Sequence, residues 1–498
     1  MIESGLTMKR YEKLAEDIAA LITGAVIKAG ERIPSVRSAC AEWQVSPSTV
    51  FKAYYLLESR GLIEAREKSG YYVLPQPESD LEGFDSDLLC SDSVLLKSSS
   101  DHRRMPNVQA SQVQARDVQV SDLVFSLLDS VRDRRIIPLG SAFPNPALFP
   151  VQRLARSAAH ALRFVTPESL VTDMPLGVFE LRRHIAQRYA RADVTLSPED
   201  IMISTGAMEA LNLCLQAVTK AGDYVAIEAP AFYASLQVLE RLQLKAVEIP
   251  VGEDGIDLPK LAQALQQYPL KACWVMSCFQ NPTGASMPDS HKQQLVELLT
   301  RHQVPLIEDD VYHELYFGSL PPKPAKAFDY EGWVMHCSSF SKCLAPGYRI
   351  GWVSAGRFSQ QVQRLKLMTT ISPSIPAQAA LADYLQHGGY DRHLRKLRQH
   401  LQQQCHCMQA ALEEHFPVGT QVSMPDGGYF LWVSLNPAIN TLQVFEQALA
   451  QGISLAPGVM FSASQQFGHC LRLNYGALVL EDIEPAIKRL AGLIDAMR

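Results

Sequence analysis

The sequence predicts an α/β protein built on a mostly parallel sheet, with a small helical unit ahead of it. Three observations lead there. Short apolar runs recur along the chain and end in turns rich in Gly, Ser, Asn or Asp, and helical spacing follows them; buried parallel strands with covering helices have this pattern. The 498 residues are ample for a large core. The first eighty residues follow a different rhythm, three short helical patterns and two short strand patterns.

In that first unit, Tyr11 to Thr23 carries Leu14, Ile18 and Ile22 on one helical face, and Gly30 to Ser35 reads as a turn into a second helix, Val36 to Trp43. Ser46 is a good N-cap and Pro47 suits the first helical position. Val50, Ala53, Tyr54 and Leu57 then recur at i, i+3, i+4 and i+7, predicting a third helix. Leu62–Ala65 and Gly70–Val73 read as two strands joined by Arg66–Ser69, so the unit is a helix-turn-helix with a wing. Its charge selects no partner, since ten Lys and Arg stand against nine Asp and Glu over residues 1–75. Placement favours a duplex. Arg37 begins the second helix, Ser46, Ser48, Thr49 and Lys52 lie at the start and on the polar side of the third, and Lys68 with Gly70 occupies the wing tip, so donors gather where a phosphate backbone would pass. The domain is expected over 1–75. Residues 76–121, rich in Ser, Asp and Gln with little apolar periodicity, are expected to be a flexible linker, and 122–498 the second domain.

Further on, Ile201-Met202-Ile203 runs into Thr205-Gly206-Ala207-Met208 and then Leu211, Leu215 and Val218 at helical spacing. That places a glycine turn at a helix N-terminus, where backbone N–H groups can bind phosphate. Tyr224 to Ile227 reads as a strand followed by an aromatic, Phe232. The strand candidate Ala272 to Cys278 ends in a turn holding Asn281, and Val304 to Ile307 delivers Glu308-Asp309-Asp310-Val311-Tyr312 to the same edge.

The apolar run Trp333 to Cys337 ends in Ser338-Ser339-Phe340-Ser341-Lys342, with Pro346-Gly347-Tyr348-Arg349 beyond. Lys342 is thereby expected at a strand's carboxyl end, where open α/β sheets bind ligands. A lysine in a partly dry pocket has a depressed pKa and can form a Schiff base with an aldehyde. Ser339, Ser341 and Arg349 offer hydroxyls and a guanidinium fork that suit phosphate oxygens. A carboxylate such as Asp309 facing a pyridinium nitrogen keeps it protonated. Together these point to pyridoxal 5′-phosphate.

In this order the motifs resemble fold type I pyridoxal-phosphate enzymes, the class I and II aminotransferases, from about Leu139 to Arg498. The resemblance implies a mostly parallel sheet with flanking helices and a smaller C-terminal α+β part. It makes Lys342 the lysine that holds the cofactor's aldehyde, Asp309 the pyridinium partner, Asn281 and Tyr312 the partners of the ring oxygen, and Phe232 the stacking ring. Gly206, Ala207, Ser339, Ser341 and Arg349 would hold the phosphate, Met208 would also bind the cofactor, and Arg472, on the strand pattern Cys470–Tyr475, would bind an amino acid's α-carboxylate. One departure stands out. Where the family carries a tyrosine that reaches the neighbouring subunit's phosphate, this chain reads Leu170-Val171-Thr172-Asp173-Met174.

The segments Ile33–Arg37, Val45–Val50, Ala53–Gly61 and Ser69–Val73 resemble the winged helix of GntR-type repressors, departing at Pro47 and Phe51, where basic residues are common. A GntR winged helix joined to an aminotransferase-like domain is the layout of MocR-type transcriptional regulators. That resemblance implies a regulator that binds operator DNA and senses an amino acid, an amine or the cofactor, as a head-to-tail homodimer with at most residual turnover; a working aminotransferase with an accessory domain is the alternative.

Composition fits a soluble chain, with 47% apolar and 20% charged residues and no apolar run near eighteen residues, so no membrane span is expected. The start of the chain lacks signal-peptide character and ten scattered cysteines form no disulfide framework, which predicts a cytoplasmic protein. Cys405-His406-Cys407 lies in a helical stretch with no second ligand pair. It reads as helix surface, and no metal is expected.

Overall fold

The computed structural model describes residues 10–74, apart from 24–26, 28–29, 44, 61 and 67–69, and residues 114–497, apart from 123, 126–134, 173–174, 193 and 388. The chain divides into two compact units at Ser98 and Ser99.

The first unit holds α1 (Arg10–Thr23), α2 (Val36–Glu42), α3 (Pro47–Ser59), β1 (Ile63–Arg66) and β2 (Gly70–Val73). The hydroxyls of Ser35 and Ser46 cap α2 and α3 by accepting from Ser38 N–H and Thr49 N–H, as short polar side chains do at helix starts. Leu14, Ile18, Val50, Ala53, Leu57 and Ile63 close the core, and the Tyr54 hydroxyl reaches the Pro34 carbonyl at 2.6 Å, anchoring the turn before α2. β1 and β2 pair antiparallel with Ile63 opposite Val73. The segment Gly30–Ile33 adds a third rung to this wing: Val73 N–H donates to the Glu31 carbonyl and Ile33 N–H to the Tyr71 carbonyl. Nothing in its sequence signalled a strand.

In the second unit the central sheet is laid out in the order β3 (Ala115–Asp117), β6 (Lys245–Gly252), β5 (Tyr224–Ala229), β7 (Leu270–Val275), β8 (Leu306–Asp309), β9 (Val334–Ser339), β10 (Gly351–Ser354), β4 (Met202–Ser204). The five strands β5 to β9 are parallel, β10 runs against β9, and β4 runs against β10. Almost every residue of β4, β5, β7, β8, β9 and β10 is buried, which is why they read as continuous apolar runs rather than alternations. A smaller sheet of Gln421–Val422, Phe430–Ser434, Cys470–Asn474 and Ala456–Pro457 forms the C-terminal α+β part, with the helices Gly389–His415 and Leu480–Asp495.

Two expectations need correction here. The linker expected over 76–121 falls mostly outside the described residues, but its last part is not linker. Ala115–Asp117 pairs with Lys245–Val247 at the edge of the main sheet, and Val118 and Val120 are buried beyond it. An exposed edge strand of three residues needs no apolar alternation, so composition concealed it. Cys405-His406-Cys407 does lie in a helix, but Cys405 is buried in the core, while His406 faces solvent.

Candidate cofactor and ligand site

The carboxyl ends of the parallel strands bring the expected residues together. Lys342 follows β9 and is half-buried; its Nζ donates to the Ala142 carbonyl at 2.9 Å and stands 3.9 Å from the centre of the Phe143 ring. Burial, with help from the Arg472 and Arg349 charges, pushes its pKa down to about 7, against the pull of Asp309. Asp309, the last residue of β8, is almost wholly enclosed. Burial and the neighbouring Asp310 push its carboxyl up to about 7, while Lys342 opposes the rise, and its Oδ1 has no hydrogen-bond partner.

Asn281 and Arg472 meet although they come from different parts of the fold. Arg472 Nη1 donates to Asn281 Oδ1 at 2.9 Å, Nη2 donates to the Gly140 carbonyl at 2.7 Å, and the guanidinium lies over the Phe430 ring. Asn281 Nδ2 and Arg472 Nε are buried and without partners. Tyr312 is buried, and burial holds its hydroxyl well above the ordinary tyrosine range. Its ring meets Tyr429 edge-on at 5.3 Å.

The phosphate-directed residues cluster as well. Gly206 has φ of +80° and precedes the helix Ala207–Val218; a Cβ there would sit 2.4 Å from Arg349 Nη2. The Gly206 N–H is turned to the Ser204 carbonyl, so this glycine contributes room rather than a donor. Arg349 has the left-handed φ of +53°, unusual for a side chain of its size, and its Nη1 donates to Ser341 Oγ at 3.3 Å. Ser341 N–H in turn points at Ser339 Oγ, 3.4 Å away. Met208 is half-buried in the first turn of the helix, and Phe232, half-buried, precedes the helix Tyr233–Arg241 with its ring 4.9 Å from Tyr233.

Several contributors had escaped sequence reasoning. The segment Gly140–Phe143 supplies carbonyls to Arg472, Lys342, Asn474 and the Tyr429 hydroxyl. Tyr429 stands between the glycine pair Gly427-Gly428 and a fully buried strand, a pattern that could have marked it. Glu228 is buried beside Asp309 and, driven mainly by burial, its carboxyl rises to about 8.

The residues present fit pyridoxal phosphate. Asp309 Oδ1 lacks a donor and Asn281 Nδ2 lacks an acceptor, the complementary lacks that a protonated ring nitrogen and a ring oxygen would fill. The lack of a Cβ at Gly206 lets the Arg349 guanidinium lie against its backbone, and Lys342 has an amine with a lowered pKa. The segment that lacks the family's tyrosine contributes a short helix, Ser169–Thr172; Asp173 and Met174 lie outside the described residues.

In the first unit, Ser46 Oγ at the start of α3 lies 2.8 Å from Ser48 Oγ and 2.9 Å from Thr49 Oγ1. Lys52 is exposed, its Nζ 5.6 Å from the Tyr11 ring centre, and Gly70, with φ of +104°, lies against the Arg32 guanidinium. Arg37 lies on α2 with its side chain outside the described residues, and Lys68 lies outside the described residues altogether.

The family described as aminotransferase class I and II matches residues 150–490, and bacterial regulatory proteins of the gntR family match residues 10–73. The uncharacterised HTH-type transcriptional regulator YdcR of Escherichia coli K12 is 44% identical over 98% of this chain and 99% of its own. Aromatic-amino-acid aminotransferase 1 of Thermococcus litoralis is 32% identical over 74% of this chain and 90% of its own. Among solved structures, the multiple substrate aminotransferase of Thermococcus profundus superposes with a TM-score of 0.71 at 30% identity, covering 76% of this chain and 95% of that one.

Proposed function

The chain belongs to the aminotransferase class I and II family, which binds pyridoxal phosphate, and because a GntR-family domain precedes that part we propose that it is a DNA-binding transcriptional regulator whose cofactor domain senses an amino acid or amine. The observation that carries this reading is the co-linear match, over 98% of the chain, to a protein described as an HTH-type transcriptional regulator. Family membership alone would account for only the second unit.

When bound, pyridoxal phosphate supplies an electron-withdrawing ring and an aldehyde that captures amines. This chain's residues would then divide the work. Lys342 would hold the aldehyde, Asp309 would face the ring nitrogen and keep a proton on it, and Asn281 with Tyr312 would orient the ring oxygen. Gly206, Ala207, Ser339, Ser341 and Arg349 would hold the phosphate, Met208 would also bind the cofactor, and Phe232 would lie against the ring. Arg472 receives an α-carboxylate through its unpartnered Nε, with its other nitrogens fixed by Asn281 and Gly140. The duplex is read by Arg37, Ser46, Ser48, Thr49, Lys52, Lys68 and Gly70. A homodimer, head to tail, places two winged helices on two half-sites. Among the described residues no helix is long and apolar enough to cross a membrane, and the protein works on DNA in the cytoplasm. The proposed DNA-binding domain spans residues 1–75, and the proposed cofactor domain includes the edge strand Ala115–Asp117 ahead of residue 122.

A second reading, an active aminotransferase with an accessory domain, is favoured by one observation: the Lys342 amine lies within electrostatic reach of both Asp309 and Arg472. Steady-state keto-acid release measured alongside operator binding separates the two. A regulator shows ligand-dependent DNA binding with little release over many turnovers; rapid turnover with ligand-independent DNA binding would overturn the proposal.

A further inference from the structure

Beside the cofactor pocket lies a second group of chemically active side chains that the function above does not use. Cys278 follows β7, Asp310 follows β8, and these strands are parallel neighbours, so both residues emerge at the same edge of the sheet. His313 opens the short turn just after. One donor atom from each of the three lies within 4.8 Å of the others, offering sulfur, oxygen and nitrogen.

The state of Asp310 is the telling observation. Its carboxylate is wholly buried and neither oxygen accepts a hydrogen bond, although His313 Nδ1 is 3.1 Å from Oδ2. A buried carboxylate in that condition is costly unless a cation meets it. Its neighbours are also carboxylates: Glu308 is met by His336 at 2.7 Å and Asp309 by the charge of Lys342. Asp310 has His313 Nδ1 at 3.1 Å and His336 Nε2 at 3.9 Å from its Oδ2, and a metal ion shared with His313 would meet the carboxylate more closely than either ring. Lys292 Nζ donates to Cys278 Sγ at 3.3 Å, which holds the sulfur in place beside the other two donors. A small cavity lined by Asp310, His313, Glu314 and Tyr189 adjoins the group and leaves room for a further ligand such as water.

We propose that Cys278, Asp310 and His313 bind a divalent transition cation of the zinc class. Thiolate with imidazole selects such a cation over magnesium or calcium, which take oxygen shells. Bonds of about 2.0–2.3 Å require the three donors to draw together from the spacing seen here, a change of about an ångström that side-chain rotation supplies. The ion ties together the ends of two strands that carry Asn281 and Asp309, so it stiffens one wall of the cofactor pocket without entering it.

The test uses the full-length protein with cofactor, stripped of metal by chelator and titrated with Co2+. One equivalent per chain by elemental analysis, with ligand-field bands to the red of the cofactor, is expected. Cys278→Ser and His313→Gln should each weaken binding by more than about tenfold, the scale of loss that even outer-shell changes produce at such sites. Absence of stoichiometric Co2+ in the wild-type protein overturns the proposal regardless of how the variants fold. So does an unchanged affinity and spectrum in both variants.

Discussion

Arg472 Nη1 donates to Asn281 Oδ1 at 2.9 Å, linking the small sheet to the turn beyond β7. The same guanidinium holds the Gly140 carbonyl, so one side chain ties three separate segments at the point where a ligand's carboxylate would arrive. Replacing it with alanine leaves these buried acceptors unmet, at about 1–3 kcal/mol for each. Arg472→Lys keeps the charge but not the fork. Its expected outcome is a marked loss of affinity for amino acids with little change for amines that have no carboxylate, read by titrating the visible spectrum; equal losses for both would remove Arg472 from carboxylate recognition.

Lys342→Ala should abolish the covalently held chromophore. Borohydride reduction of the wild-type protein followed by peptide mapping should place the reduced cofactor at Lys342, and its recovery on another lysine would reassign the site. Because burial lowers this amine to about pH 7, covalent capture of added cofactor by the stripped protein should rise through pH 7 and level off above it, rather than rise through pH 10.

Stability of the cofactor-free chain should depend on pH through two carboxyls. Asp309 and Glu228 have folded pKa values raised to about 7 and about 8, so the native chain holds protons that the unfolded chain has lost. Their contribution is fully present below about pH 4 and is lost as pH rises to about 8. Thermal unfolding temperatures should decline across that window, with a shallower decline in Glu228→Gln. A slope unchanged by that substitution would rule out Glu228 as a source.

For the DNA surface, Arg37→Ala with Lys52→Ala should weaken operator binding and reduce its salt dependence by about one to two phosphate contacts. A footprint and salt slope like those of the wild type would move the interface elsewhere on the first unit.

Operator DNA and the amino ligand should each alter the other's affinity by the same factor, since linkage between two binding equilibria is reciprocal. Spectral titrations with and without operator, paired with DNA titrations with and without ligand, give both factors. Absent coupling, a factor of one in both titrations, means that the two units do not communicate.

The parts legible in the sequence were those in which a buried strand delivers a polar residue at its end. Asp309 sits two residues and Lys342 five residues beyond the end of an apolar run, and α3 carried its cap, its Pro47 and its apolar face in plain spacing. What stayed hidden was built from groups without a sequence signature. The carbonyls of Gly140, Ser141 and Ala142 enter the site through the backbone, which any residue can supply. Ala115–Asp117 and Gly30–Ile33 pair as edge rungs too short for periodicity to mark. Contacts such as Arg472 with Asn281 join residues far apart in sequence, and only family resemblance had placed them in one site.

Ser339 of β9 faces Gly351 of β10 across the antiparallel register, and the loop between them carries both Lys342 and Arg349. Its two ends are therefore pinned, the more so because a side chain at Gly351 would come within 2.5 Å of the Gly206 backbone. The loop works as a ruler. Adding or removing one residue would leave the strands in register while shifting the amine against the guanidinium, so homologues that keep this chemistry should vary this loop in composition but not in length.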